Sequence, residues 1–190
     1  MKWLIASDIH GSEYWCRRLL EALDSEKADR IILLGDLLYH GPRNDLPRDY
    51  NPKAVIAMLN CLRDRILAVR GNCEAEVDQM VLSFPVMADY ALMPLKTDSN
   101  SIIFITHGHT FNQQNLPPLK DGDILLHGHT HIAACISHEA GEGKPAYTYL
   151  NPGSVSIPKS GQRHSYMTFD GSHFLWKDIE TGEQYLQFMV

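Results

Sequence analysis

The sequence predicts an α/β fold of two packed β-sheets with helices outside, and three observations carry that expectation. Over the first 130 residues, short apolar runs alternate with segments of helical periodicity, the pattern of βαβ units and a mostly parallel sheet. Beyond residue 130 the spacing shortens to strand-length segments separated by glycine-containing turns, which favours antiparallel pairing. A chain of 190 residues suits one well-buried domain, and no repeat, low-complexity tract or linker divides it, so residues 1–190 read as a single domain.

The elements follow in order. Lys2–Ser7 is a short apolar run suited to a buried strand. Ser12 can cap a helix running to about Ala28, with Trp15, Leu19, Leu20 and Leu23 as its apolar stripe. Arg30–Leu34 is a second buried strand. Asn51-Pro52 is a strong helix start, asparagine as cap and proline at the first helical position, and Val55, Ile56, Leu59 and Leu62 continue it. Arg65–Val69, Ile102–Thr106 and Ile124–Leu126 supply further strands. In the tail, Ala133–Ser137, Ala146–Leu150, Ser165–Phe169, His173–Lys177 and Gln184–Met189 are strand candidates, with turns at Gly141–Gly143, Asp170-Gly171 and Thr181-Gly182.

Composition excludes several classes. Hydrophobic content of 44% and charged content of 21% are those of a folded globular protein. No run approaches the roughly 18 apolar residues needed to cross a bilayer, and the opening residues suit a strand better than an export signal, so the expected location is the cytoplasm, with no membrane partner. Cys16, Cys61, Cys73 and Cys135 form no C-x-x-C pair, which argues against a disulfide framework or zinc knuckle. The formal net charge of −6 and the lack of a basic stripe argue against wrapping extended nucleic acid. Exposed strand edges in the tail allow pairing into a homo-oligomer.

Ten histidines stand out, several beside glycine and aspartate. Five predicted strands end in Asp8-Ile9-His10, Gly35-Asp36, Gly71-Asn72-Cys73-Glu74, His107-Gly108-His109 and Gly128-His129-Thr130-His131. Ligands of open α/β folds bind at the carboxyl ends of strands. Alternation along an extended chain would point Asp8 and His10 the same way, and likewise His129 and His131. Any one of these alone is more often a cap or a satisfied surface group. Seven at one sheet edge make the set that binds first-row divalent metals, because carboxylate, imidazole and amide oxygen together match their preferences. Two ions about 3.5–4 Å apart would clamp the attacking and leaving oxygens of a phosphoryl displacement.

The order D-x-H, G-D, G-N-x-E, H-G-H and G-H-T-H resembles the calcineurin-like metallophosphoesterases, from Asp8 to His131. His40–Asn44, Glu76–Met80 and Asn151–Lys159 extend the likeness to a branch of small bacterial phosphodiesterases. The resemblance implies a four-layer αββα sandwich. It implies one ion on Asp8, His10, Asp36 and His131, and a second on Asp36, Asn72, His107 and His129, with Asp36 bridging. Manganese is the expected metal, with zinc or iron as alternatives. The implied reaction is hydrolysis of a small phosphate ester, a diester first, by in-line attack of a hydroxide bridging the two ions. Many larger relatives carry histidine where Cys73 stands here, so the proton donor to the leaving group is open among Cys73, His109, His40 and water.

Arg43, in a Gly/Pro-rich loop after Asp36, can grip a phosphate oxygen in a bidentate manner, and Asn44 and Ser154 are further substrate contacts. His127 is expected to be buried near the site, and His138, His164 and His173 to be ordinary surface histidines. Trp3, Trp15 and Trp176 read as packing. Competing readings are a phosphomonoesterase acting on phosphoproteins or nucleotides, which a mono- against diester comparison separates, and a non-catalytic scaffold, which loss of metal ligands would indicate. Every ligand position is kept. A nuclease reading is weaker, since no capping domain or basic tract accompanies the site.

Overall fold

A computed structural model describes residues 1–95, 100–141 and 143–190. Its elements in order are β1 (Trp3–Ala6), α1 (Glu13–Ser25), β2 (Arg30–Leu33), α2 (Pro52–Asn60), β3 (Ile66–Ala68), α3 (Glu76–Val81), β4 (Tyr90–Pro94) and β5 (Ile102–Thr106). They continue with β6 (Asp123–Leu126), β7 (Ala134–His138), β8 (Tyr147–Asn151), β9 (Ser165–Phe169), β10 (His173–Asp178) and β11 (Gln184–Met189).

Both sheets are mixed. The first has the order β11-β10-β9-β1-β2-β3, with β1, β2 and β3 parallel and β9 antiparallel to β1. The second has the order β4-β5-β6-β8-β7, with a parallel core of β5, β6 and β8 and an antiparallel strand at each edge.

Alternation along the strands builds the layers. Ile5, Ile32, Ile103, Ile105, Ile124 and Leu126 fill the space between the sheets with Phe174 and Trp176. Their neighbours Leu4, Ala6, Ile31 and Leu33 point the other way, onto Trp15, Leu19 and Leu23 of α1 and Val55 and Leu59 of α2. Burying each such side chain contributes about 1.5–3 kcal/mol. On the far face of the second sheet, Phe104, Leu125, Tyr147 and Tyr149 pack against Phe111, Leu116 and Leu119. That outer layer comes from an irregular segment after β5, where the described residues form no helix.

The caps are where the sequence puts them. The Ser12 hydroxyl accepts from the Trp15 amide at 3.2 Å, and the Asn51 side chain accepts from Ala54 with Pro52 opening α2. The first helix stops at Ser25, short of Ala28, because Lys27 takes a left-handed φ of 50° and turns the chain toward β2. The tail pairs antiparallel as expected, but β8 also joins β6 in parallel, and β9 lies against β1 in the middle of the first sheet. Gly141 and Lys144 bridge at the predicted β7–β8 turn, whose central residue Glu142 lies outside the described residues.

Candidate metal centre

Asp8 and His10 come just after β1, Asp36 after β2, Asn72 after β3, His107 after β5, and His129 and His131 after β6. The carboxyl ends of both parallel cores therefore meet at one edge. The expected pleat alternation is not what aims the paired ligands. Asp8 (φ 60°), His10 (51°), Asp36 (56°), His129 (65°) and His131 (61°) all stand in the left-handed region, beyond the strands' last extended residues. Non-glycine residues enter that region at a cost and persist where the surroundings enforce it, commonly at functional sites. Here the enforcement is visible. The Asp8 carbonyl accepts hydroxyls from Ser154 and Ser156, each at 3.0 Å, and the His10 amide donates to the Asp36 carbonyl at 2.9 Å. Close approach does the rest: a Cβ on Gly128 would lie 1.9 Å from the Ser7 hydroxyl, so glycine is required beside His129.

The imidazoles are oriented through backbone carbonyls. Nδ1 of His10 donates to Tyr39 (2.7 Å), Nδ1 of His107 to Leu34 (2.6 Å) and Nδ1 of His131 to Ile157 (2.8 Å). A carbonyl can only accept, so each ring's proton is on Nδ1 and, in the neutral ring, Nε2 offers a lone pair. Those lone pairs converge. His10 Nε2 lies 3.4 Å from His131 Nε2, and His107 Nε2 lies 3.1 Å from Asn72 Oδ1 and 3.2 Å from His129 Nδ1. The carboxylates close the cage. Asp8 Oδ1 is 3.3 Å from His131 Nε2 and 3.7 Å from His10 Nε2, and Asp36 reaches His10 with Oδ2 (3.7 Å) and His107 with Oδ1 (3.5 Å). Asp36 thus touches both halves of the cluster.

Asp8 Oδ1 is buried and has no conventional hydrogen-bond donor among the described residues, while Oδ2 accepts the His129 amide at 3.1 Å. Acceptors face acceptors with an orphaned carboxylate oxygen among them. This is the donor set and arrangement a divalent cation requires, and carbonyl-anchored imidazoles are the usual support of such ligands.

The electrostatics agree. Burial opposes ionisation of Asp8, but contacts from His10 and His131 outweigh it and hold its carboxyl well below the usual range. Burial favours a neutral His10, yet Asp8 and Asp36 prevail and raise it. The two carboxylates draw positive charge, whether a proton or a metal ion supplies it. Burial, then His107, lowers His129 to about 4, leaving a neutral ring free to ligate.

A cavity of about 480 Å³ opens over the centre, lined by Asp36, Asn72, His129 and His131, and by Arg43, Asn44 and Cys73. Arg43 and Asn44 therefore stand where substrate contacts were expected, Asn44 also bracing its loop through the His40 carbonyl at 2.8 Å. Ser154 does not. It is fully buried, and its hydroxyl is engaged by Asp8, Ser156 and Ile157, so it holds the backbone of Asp8 and cannot reach a substrate.

Among the proton-donor candidates, Cys73 is on the cavity wall, its amide donating to Asp36 Oδ1 at 2.9 Å, and burial followed by Asp36 pushes its thiol up. His109 is exposed, its ring 5.4 Å from that of His107, and burial of part of the ring lowers it. His40 packs edge-on between Tyr39 and Tyr50 and is not among the residues lining the cavity.

His127 is buried against Tyr149 as anticipated, and burial lowers it to about 4. His173 is exposed. His164 and His138 are not ordinary surface residues: His164 stacks on Trp15 at 3.6 Å, and His138 stacks on Tyr147 and bonds Gln113. Trp15 and Trp176 are in the core and Trp3 packs beside it, as expected.

Glu74 is the residue whose role the motif did not reveal. Buried, it accepts the amides of Asp36 (2.9 Å), Leu37 (2.7 Å) and Gly71 (2.5 Å), tying the end of β2 to the end of β3.

Residues 1–173 match the calcineurin-like phosphoesterase superfamily domain. The chain belongs to that family. It is 45% identical to Phosphodiesterase YfcE of Escherichia coli (strain K12) over 170 residues, covering 90% of this chain and 88% of the relative. The solved structure of the YfcE phosphoesterase from E. coli aligns over 100% of both chains, with a TM-score of 0.90 and 40% identity. Vps29 of Chaetomium thermophilum shares the fold, at a TM-score of 0.59 and 16% identity, over 100% of this chain and 98% of its own. Membership makes the chain a hydrolase of phosphoric ester bonds, in a family that works with divalent metal ions. No helix among the described residues is long and apolar enough to cross a membrane.

Proposed function

We propose that the centre holds two divalent cations, manganese first with zinc or iron as alternatives, and that the enzyme hydrolyses small phosphate diesters in the cytoplasm. The observation that carries this reading is the convergence of acceptor atoms, with His10 and His131 presenting Nε2 atoms 3.4 Å apart beside an orphaned Asp8 Oδ1. Asp8, His10, Asp36 and His131 would hold one ion, and Asp36, Asn72, His107 and His129 the other. Bound there, divalent cations supply Lewis acidity, lowering the pKa of water and neutralising charge on phosphoryl oxygens.

The chain's own residues arrange the rest. The Cys73 amide fixes the rotation of Asp36, whose two oxygens face different halves of the cluster. Arg43, on the cavity wall, grips a non-bridging phosphate oxygen. An aryl leaving group departs without a proton, whereas an alkoxide gains from a donor, and Cys73 is the candidate that lines the cavity. The diester preference is supported by the relative's name, Phosphodiesterase, at 45% identity. The cytoplasmic reading rests on the four free cysteines.

The test is a comparison of bis(p-nitrophenyl) phosphate with p-nitrophenyl phosphate, on protein stripped by a chelator and reloaded with manganese, zinc or magnesium. The expected result is loss of turnover on stripping, best recovery with manganese, and preference for the diester. Full activity in metal-free protein, or a preference for the monoester, overturns the proposal.

A further inference from the structure

The cavity over the centre is lined by a second cation besides Arg43. Lys159, in the segment between β8 and β9, is exposed and lines the same volume beside Thr130 and His131. Its position is tied to the centre, because the Lys159 amide donates to the His131 carbonyl at 3.1 Å, two residues after Ile157 receives the His131 ring proton. Neither Arg43 nor Lys159 has a carboxylate within ion-pair distance among the described residues, whereas Arg17, Arg163 and Lys177 each do. Two unpaired cations therefore open on one cavity in a chain of net charge −6.

Charge counting shows what they leave over. The reacting phosphate of a diester carries a single negative charge, and Arg43 together with the cations that the cluster would hold already answers it. A cavity of about 480 Å³ also has room for far more than one phosphoryl group. The geometry points to Lys159 as a specificity-determining residue that binds a second phosphoryl group, carried on one arm of the diester. The preferred substrate class is then a diester with an arm that is itself phosphorylated. This rests on the phosphodiesterase reading above and sharpens it. A lysine suits the role, since a flexible point charge tolerates arms of differing length where the planar fork of an arginine would demand one geometry.

The manganese-loaded enzyme is assayed on the p-nitrophenyl ester of thymidine 5′-phosphate, with and without a 3′-phosphate, and the ratio of the two kcat/KM values is the readout. The wild type is expected to favour the 3′-phosphorylated ester by about tenfold at low salt, the size of one charge-assisted contact. That preference should shrink as ionic strength rises. Lys159→Ala brings the ratio near one, chiefly through KM of the phosphorylated ester, and Lys159→Arg retains most of it. Because Lys159 is exposed, its replacement does not threaten the fold. A wild-type ratio near one, or a ratio unchanged in Lys159→Ala, overturns the assignment while leaving the diesterase reading intact. Failure of the wild type to turn over either ester removes that reading and this one together.

Discussion

Two polar clusters in this molecule invite comparison. One lies at the C-terminal end of α1, where the Glu26 carboxylate meets Lys2 (2.7 Å), Lys177 (2.5 Å) and the Tyr166 hydroxyl (3.0 Å). The other is the carboxyl-edge centre of Asp8, Asp36 and four imidazoles. The first is closed upon itself: its carboxylate has donors on both oxygens, and its charge is answered by lysines of the chain. The second is open. It holds no lysine or arginine among its candidate ligands, its Nε2 atoms face one another, and Asp8 Oδ1 has no conventional donor among the described residues. A polar cluster whose carboxylate is satisfied from within ties the fold together; one whose acceptors are left facing each other states the charge of what it binds.

Breaking the open cluster should have the largest effect. Asp36→Ala and His129→Ala are expected to lower turnover by about 10³-fold or more, and metal analysis by mass spectrometry should show cation and activity lost together. Retention of both in Asp36→Ala would mean that this cluster is not the working centre.

The support of that cluster comes next. Glu74→Ala strands three buried amides, so urea unfolding should show a loss of about 1–3 kcal/mol. Metal affinity, read by titration, should weaken about 10- to 100-fold. A stability loss with unchanged metal affinity would make Glu74 a brace of the strands alone.

The closed cluster should respond least, and differently. Glu26→Gln is expected to cost about 1 kcal/mol at neutral pH and to leave kcat/KM within about twofold. Burial works against the Glu26 charge, but Lys177, Lys2 and Tyr166 outweigh it and hold the carboxyl below its ordinary value of 4.5. A lowered folded pKa stabilises above the unfolded value and is lost as pH falls through the folded one. The gap between wild type and Glu26→Gln should therefore be full above about pH 4.5 and close in more acid solution. A gap independent of pH would assign the effect to packing.

The same contrast explains what could be read from the sequence. Metal ligands announce themselves because few residue types can do the chemistry, and glycines beside Asp36, Asn72, His107 and His129 mark the strand ends. The strands of both parallel cores were legible because burial on two faces leaves an unbroken apolar run. By contrast α3 buries no side chain and so has no stripe to detect, while β4 is an edge strand ending in Pro94. Glu74 looked like one more polar residue of its motif, since nothing local shows that its carboxylate will find amides 37 and 38 positions earlier. The left-handed turn at Asp8 was equally hidden, because it depends on Ser154 and Ser156, far along the chain. Ser154 was misplaced as a substrate contact for the same reason.

The position of β1 has a consequence for the life of the molecule before it is an enzyme. Ile5 pairs with Ile32 on one side and Met167 on the other. Synthesis makes the segment bearing Asp8 and His10 well before β9, so its second neighbour is missing while the intervening residues are added. Until β9 is in place, the strand that presents Asp8 and His10 is held on one side only. A chain cut short before Ser165 would leave β1 without that neighbour and is expected to show no hydrolytic activity.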